Sequence, residues 1–305
     1  MRVLITGGAG FIGSHIVRSL LNTQIDLAVF DNLSTGSAAN LPESALIRKG
    51  DIRDFAQVQA VFREFLPTHV IHAAGDLSGR LATWPLVQRS LEHNLTGTLN
   101  VAKAMLDLGT KRLVYISTAG VYGEVPEKES ASESYPLRPC NPYSASKASG
   151  ELFLQTFEML ETVILRYANV YGPCPLGASS GAVIPTFIAR LQAKQSVTVY
   201  GREFLGDGGC RRDYVFVDDV VAATLLALNH TPAGIFNVSR QESFTTMELL
   251  DIIADKVGWR PAVCYEAPRG GEIKSSAVDS SRLQLLGWNA NIGLAKGIEL
   301  TVDKI

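Results

Sequence analysis

Arg2-Val3-Leu4-Ile5-Thr6 runs directly into Gly7-Gly8-Ala9-Gly10-Phe11-Ile12-Gly13, and the glycines open an amphipathic stretch over 11–22. A short β-rich run, a glycine turn and a helix, in that order, make a phosphate cradle. The tight turn needs positive φ, and a diphosphate needs the backbone to approach without a Cβ in the way. The helix that follows offers free N–H donors and a partial positive charge at its first turn. The spacing satisfies GxxGxxG through Gly7, Gly10 and Gly13, and GxGxxG through Gly8, Gly10 and Gly13. A glycine string also fits a purely structural turn, so its neighbours decide.

The next β-rich run, 27–31, ends in Asp31. A carboxylate there accepts both adenosine ribose hydroxyls and repels a 2′-phosphate, and neither Lys nor Arg follows until Arg48. This favours NAD over NADP. Val70-Ile71-His72-Ala73-Ala74-Gly75 closes another run with small residues, as close approach to a dinucleotide requires; His72 reads as a packed histidine, not a catalytic one. Outward from the glycines, β-rich runs at 2–6, 27–31, 45–49, 69–73, 111–117 and 162–167 alternate with helical stretches at 11–22, 55–66, 85–108 and 141–160. That alternation predicts an α/β fold, a Rossmann-like doubly wound parallel sheet, with its ligand at the carboxyl ends of the strands where chain order reverses. After Asn169 the pattern shifts to Gly/Pro-rich loops and short elements. The expected division is an NAD-binding domain over 1–168 and a smaller α/β substrate lobe over 169–305, with some elements interleaved.

Composition narrows the class. Of 305 residues, 46% are apolar and 19% charged, enough to bury a large core and to exclude a disordered chain. Lys plus Arg at 28 against Asp plus Glu at 30 leaves −2, which argues against a global grip on nucleic acid or an anionic membrane. The first apolar run is too short for a signal-peptide core, and the longest later one, 220–228, is about half a membrane span. Cys140, Cys174, Cys210 and Cys264 are widely spaced with no CxxC, and His15, His69, His72, His93 and His230 show no metal spacing. A cytoplasmic protein without structural metal is expected.

Tyr143-Ser144-Ala145-Ser146-Lys147 holds the one YxxxK of the chain. Chance alone supplies roughly 0.3 such matches, so position rather than pattern gives it weight. On a helix the i, i+4 spacing puts both side chains on one face, and Pro142 suits a first-turn position. A free tyrosine titrates near pH ~10, but a neighbouring ammonium stabilises the phenolate and makes it a usable base. The lysine is also placed to hold the nicotinamide ribose. Just upstream, the run ending Ser117-Thr118-Ala119-Gly120-Val121-Tyr122-Gly123 presents a hydroxyl at a strand's carboxyl end; Thr118 is the candidate to hydrogen-bond a reacting sugar oxygen, and Ser117 the second choice.

Together these residues resemble the extended short-chain dehydrogenase/reductase family, specifically its NAD-dependent nucleotide-sugar epimerases. The resemblance covers nearly the whole chain: 7–14, 31–36, Gly50-Asp51-Ile52, 72–75, Asn94, 117–123, 143–147, 166–173, 212–219 and Leu286-Gly287-Trp288. It implies that Gly7, Gly10, Phe11, Ile12, Gly13, Asp31, Asn32, Thr35, Gly36, Ala73, Ala74 and Lys147 bind NAD. Asp51 and Ile52 would face the adenine, Asn94 would organise the pocket, and Tyr167 with Ala168 would lie beside the nicotinamide. Asn169, Arg212 and Arg269 would hold the substrate diphosphate, as bidentate guanidinium donors suit it. A homodimer is also implied, pairing helices 85–108 and 141–160 across a two-fold axis.

The implied reaction is 4-epimerisation of a UDP-sugar through a transient 4-keto sugar, with Tyr143, Lys147 and Thr118 catalytic. Related 4,6-dehydratases carry an Asp-Glu pair after the Ser/Thr, where this chain has Ala119-Gly120, which transfer no protons. Decarboxylases keep a glutamate in that segment, also absent, and reductases often favour NADPH, against Asp31. UDP-glucose/UDP-galactose is the common pair of the family. Ser276 stands where a bulky tyrosine in some relatives closes off room for an N-acetyl group, so UDP-GlcNAc/UDP-GalNAc stays open. A UDP-uronate also stays open, because Arg80, Arg202 or Arg211 can meet a carboxylate. A dehydratase or oxidoreductase with acids elsewhere, and a non-enzymatic NAD-binding scaffold, are the readings from other classes.

Overall fold

The computed structural model describes residues 1–21, 23–78, 83–174, 182–270 and 272–304. Its first half alternates as β1 (Arg2–Thr6), α1 (Phe11–Leu21), β2 (Asp26–Asp31), β3 (Leu46–Lys49), α2 (Phe55–Phe65), β4 (His69–His72), α3 (Trp84–Ser90), a π-helical turn (Leu91–Thr96), α4 (Gly97–Leu108), β5 (Arg112–Thr118), α5 (Pro142–Leu154) and β6 (Glu161–Tyr167). The second half adds β7 (Asn169–Tyr171), α6 (Val183–Gln192), β8 (Val197–Tyr200), β9 (Arg211–Phe216), α7 (Val217–Asn229), β10 (Gly234–Val238), β11 (Ser243–Thr245), α8 (Thr246–Val257), β12 (Val263–Glu266), β13 (Ser275–Ser276), α9 (Ser281–Gln284) and α10 (Leu294–Val302).

Seven parallel strands form the main sheet in the order β10-β6-β5-β4-β1-β2-β3. The chain winds outward from β1 to β3, then crosses back to β4 on the other side of β1. The carboxyl ends of β1 and β4 therefore flank the switch point. Alternation along the strands builds a core on both faces, as a buried parallel sheet requires. Val3 and Ile5 join Ile16, Val17 and Leu20 of α1 and Val220 and Ala223 of α7 on one face. Leu4 faces the other way, with Val58 and Phe62 of α2 and Val101 and Met105 of α4. The seventh strand, β10, comes from the second half and pairs with β6 from Gly234↔Val163 to Val238↔Tyr167. A smaller sheet surrounds β9, which pairs with β7, β11 and β13, while β8 and β12 pair separately.

Two expected helices differ from the sequence pattern. The stretch 85–108 is not one continuous α-helix: the π-helical turn at Leu91–Thr96 interrupts it. The stretch 141–160 stops as a helix at Leu154. There the Gln155 amide donates to Glu151 O at 3.0 Å and the Thr156 hydroxyl to Phe153 O at 2.7 Å. The Thr156 side chain competes for the Phe153 carbonyl, which a further helical bond from Phe157 N needs, while the Glu151 carbonyl already accepts from Gln155 N. No Gly or Pro marks this end, which is why the pattern overran it.

Candidate active site

The switch-point cleft is lined by Gly7 and Gly10, by Phe30 to Asn32 with Ser34 and Thr35, by Gly50 and Ile52, by Ala73 to Asp76, and by His93. Its floor is shaped by the glycines. Gly7 has φ +72°, and a Cβ there would lie 2.4 Å from Ala74 N. A Cβ at Gly13 would lie 2.2 Å from Gly7 O, and one at Gly36 2.5 Å from Ala9 O. These three let α1, the loop after β2 and the β4 end close together. At Gly10 a Cβ would meet just Gly7 O, at 3.4 Å, so that side chain would grow into the cleft itself. The cradle fits a dinucleotide diphosphate, and any larger residue would fill it.

Asp31, 9% exposed, accepts from Ala9 N (2.9 Å) and Leu33 N (2.8 Å), so it both fixes the glycine loop and faces the cleft. Asn32 donates to Asp51 Oδ2 at 3.0 Å, and Arg53 pairs with the same carboxylate at 2.8 Å. The Arg53 hydrogen bond holds Asp51 well below the usual carboxylate range. Ile52 packs on Gly97, whose Cβ would lie 2.5 Å away. Phe11 meets the His15 ring in a T-shaped contact and packs with the second-half core, and Ile12 packs on the core that faces α1 and α7; both are partly buried. Asn94 is fully buried in the π-helical turn. It accepts from Asp76 N (2.7 Å) and donates to Asp76 O and Ser146 Oγ (both 3.0 Å), stapling the β4 loop to α5.

The N-cap Asn141 accepts from Ser144 N at 2.9 Å and Pro142 is the first helical residue, which starts α5 just ahead of Tyr143. Lys147 follows one turn on, 3% exposed, its ammonium 4.0 Å from the centre of the Tyr115 ring. Burial pulls its pKa down to about 7, with the Glu151 charge opposing. Among the described residues no carboxylate lies within ion-pair distance of it. Thr118 ends β5 with its hydroxyl accepting from Gly120 N at 3.1 Å, whereas the Ser117 hydroxyl is turned inward and donates to Glu151. Ser117, the second choice for the sugar, is thereby committed to the core. A Cβ at Gly120 would sit 2.7 Å from Ser144 Oγ, so an acidic side chain there has no room without rearrangement.

His72 is fully buried between the hydroxyls of Thr6 (2.5 Å) and Thr98 (2.9 Å), and burial lowers its pKa to about 3. It is a neutral packing residue. The Tyr167 side chain is committed beneath α7, hydrogen-bonded to Thr224 at 2.6 Å, so the ring itself does not extend toward the cleft.

Of the substrate candidates, Asn169 is exposed on β7 and donates to Asp213 O at 3.1 Å. Arg212 on β9 stands opposite Ser276 of β13 in the strand register and lies 3.6 Å from Glu272. Arg269 is exposed and stacks over the Tyr200 ring at 3.3 Å. Arg202 pairs with Glu127, and Arg211 is held by Ser243 O (2.7 Å) and Glu248 (3.7 Å). Arg80 lies outside the described residues.

Two cleft residues and one buried ion pair were given no role by the residue pattern. Asp76 lines the cleft and pairs with Arg89 at 2.6 Å; its hydrogen bonds from Ser78 and Arg89 outweigh burial and keep its pKa low. His93 reaches the cleft through the π-helical turn, donating to Arg89 O at 2.9 Å. The buried Glu151–Arg166 pair lies behind the tyrosine–lysine helix.

A doubly wound sheet with a glycine cradle at its switch point and a Tyr-x-x-x-Lys helix beside it defines a dinucleotide-binding α/β enzyme. The family described as the NAD dependent epimerase/dehydratase family matches residues 3–239. A putative UDP-glucose 4-epimerase of Methanocaldococcus jannaschii is 35% identical over 305 residues, covering 99% of this chain and 97% of that protein. The crystal structure of Thermus thermophilus UDP-glucose 4-epimerase in complex with NAD superposes with a TM-score of 0.94 at 44% identity, covering 100% of this chain and 98% of the other. That of Thermotoga maritima UDP-glucose 4-epimerase with UDP-glucose gives 0.93 at 33% identity, with the same coverage. The chain belongs to the NAD-dependent epimerase/dehydratase family.

Proposed function

We propose that this chain is a UDP-sugar 4-epimerase that keeps NAD bound through turnover. The reading is supported by Tyr143 and the buried Lys147 one turn apart on α5, by Thr118 at the carboxyl end of β5, and by Ala119 and Gly120 after it, which supply no further acid or base. NAD, when bound, supplies the acceptor for the C4 hydride and its return. Gly7, Gly10 and Asp31 would hold it, and Lys147 would hold its nicotinamide ribose. Tyr143 takes the proton from the sugar 4-hydroxyl and later gives it back. Thr118 hydrogen-bonds the same oxygen and fixes the distance for transfer. The neutral 4-keto sugar then turns over between two faces of the pocket, while Arg212, Arg269 and Asn169 retain the nucleotide diphosphate.

The hexose pair UDP-glucose/UDP-galactose is the favoured substrate. The relatives named UDP-glucose 4-epimerases support this pair; the ion pairs do not decide against a uronate, because Arg212 is engaged by Glu272 just as Arg202 and Arg211 are by Glu127 and Glu248. The small Ser276 beside Arg212 favours acceptance of UDP-GlcNAc/UDP-GalNAc as a second pair. We further assign residues 169–305, apart from α7 and β10, which complete the main sheet and its cover, as the substrate lobe, and a homodimer through α3 to α5, whose Leu152, Phe153, Leu106 and Leu108 are exposed apolar side chains. Among the described residues no helix is long and apolar enough to cross a membrane; the exposed free thiols of Cys140 and Cys264 favour a reducing cytoplasm.

Purified protein, given UDP-galactose, UDP-GalNAc or UDP-galacturonate and no added NAD, is expected to form the 4-epimer of the first two. Failure on all three with nucleotide still bound sinks the reading; accumulation of a keto sugar or net NADH moves it to a dehydratase or oxidoreductase.

A further inference from the structure

Glu151 and Arg166, 0% and 2% exposed, form the most deeply buried ion pair among the described residues. Arg166 Nε lies 3.2 and 3.0 Å from the two carboxylate oxygens, and Nη2 lies 2.5 Å from one of them. The Ser117 hydroxyl donates to the same carboxylate. Arg166 also donates to Tyr122 Oη at 2.8 Å and to Glu133 O at 3.2 Å, and the Tyr122 hydroxyl donates to Asn237 at 2.7 Å. Thus α5 is tied to β5 beside Thr118, to β6, and through Asn237 to β10. Burying two charges costs desolvation that their attraction does not reliably return, so net stability is a poor reason for this pair.

Glu151 sits one turn beyond Lys147 on the same face of α5. The other charges on elements packed against α5 are engaged elsewhere: Arg89 with Asp76, Glu92 with Arg53, Lys103 with Asp107, and Arg112 of β5 with Glu161. His93 donates to a backbone carbonyl. The titratable groups near the ammonium are Tyr143 on its own helix, Tyr115 of β5 and the neutral His72 of β4, and Tyr122 is held by Arg166.

We propose that Glu151 is a positioning residue for the reaction: its buried carboxylate seats the catalytic helix on β5 and β6 and supplies counter-charge that favours the ammonium form of Lys147. This rests on the reading of Tyr143 and Lys147 given above. Burial works against the Lys147 charge and Glu151 works for it, so removing the carboxylate shifts Lys147 toward the neutral amine. Arg166, left unpaired, pushes in the same direction.

The test is the pH profile of kcat for Glu151→Gln and Glu151→Asp, with ¹³C NMR titration of the lysine side chains, Lys147 being assigned with Lys147→Arg. In Glu151→Gln the alkaline limb of kcat moves to lower pH by about one unit, the Lys147 resonance moves with it, and KM is unchanged. Glu151→Asp restores the wild-type limb. A Glu151→Gln profile that is merely scaled down, with Lys147 titrating as in the wild type, overturns the proposal. If the single variant does not fold, the double variant Glu151→Gln/Arg166→Gln, which buries no lone charge, is read in the same way. The wild type also decides by itself: Lys147 titrating at the ordinary lysine value leaves nothing for Glu151 to offset and overturns the proposal. The NMR readout needs no turnover, so it separates failure of this inference from failure of the epimerase reading.

Discussion

Replacing Tyr143 by phenylalanine removes one oxygen from the cleft and leaves the glycine cradle, Asp31 and Lys147 in place. Turnover is expected to fall by about 10²–10⁴-fold while NAD stays with the protein through gel filtration, as the absorbance of released nucleotide will show. Survival of activity would contradict the proton-transfer assignment. His72 gives a second prediction. Its pKa is about 3 in the native state against an ordinary 6.5, so between those values the unfolded chain binds a proton that the native chain does not. Stability is therefore complete above pH 6.5 and falls as pH is lowered, at up to about 1.4 kcal/mol per pH unit for this one group. Urea midpoints at pH 7 and pH 5 should converge in His72→Gln relative to the wild type; an equal fall in both proteins would acquit His72. Much at this scale is legible from sequence because it is backbone chemistry: Gly7, Gly10 and Asp31 are dictated by what a diphosphate and a ribose need. The choice of Thr118 over Ser117 is not, since both are hydroxyls and the inward turn of Ser117 depends on Glu151, 34 residues on.

Elements carry the geometry that single residues cannot. Gly7 and Gly109 share nearly the same φ, +72° and +71°, yet differ in surroundings: a Cβ at Gly7 lies 2.4 Å from Ala74 N, and one at Gly109 meets nothing within 4 Å. Gly109→Ala should cost roughly 1–2 kcal/mol of left-handed strain at the end of α4 and leave NAD affinity unchanged. Gly7→Ala adds the collision between β1 and the β4 loop, so it should lose more stability and NAD binding as well. Thermal unfolding and calorimetric titration of NAD distinguish the two; similar NAD affinity in both variants would contradict the cradle assignment. The strand–helix alternation was readable because each element has its own apolar period. The π-helical turn at Leu91–Thr96 was not: its extra residue breaks no composition rule, and Asn94 within it finds Asp76 and Ser146 only in the folded chain.

At the scale of the whole molecule, β10 closes the main sheet from beyond residue 168 and α7 covers one of its faces. A fragment ending at residue 168 leaves β6 as an unpaired edge and strips α7 from Val3, Ile5 and Val163. It should fail to give the cooperative unfolding transition of the full chain, as circular dichroism in urea will show; a cooperatively folding fragment would make the first 168 residues a self-sufficient domain. Asp substitutions at Leu152 and Phe153, both on the exposed side of α5, should halve the mass seen by light scattering if this face joins two copies. An unchanged mass would place the interface elsewhere. The change of pattern after Asn169 was visible in the sequence, but pairing of β10 with β6 was not, because 66 residues separate the two strands and no local signal spans them.

In the proposed reaction the C4 hydride leaves and returns within one site while Tyr143 moves the proton. UDP-galactose deuterated at C4 tests it most directly. The expected product is UDP-glucose that retains the deuterium at C4, formed without added NAD, because a hydride held on carbon of the bound cofactor does not exchange with water. A C4 label lost to solvent, a deuterated NADH accumulating in solution, or no epimer at all would contradict it.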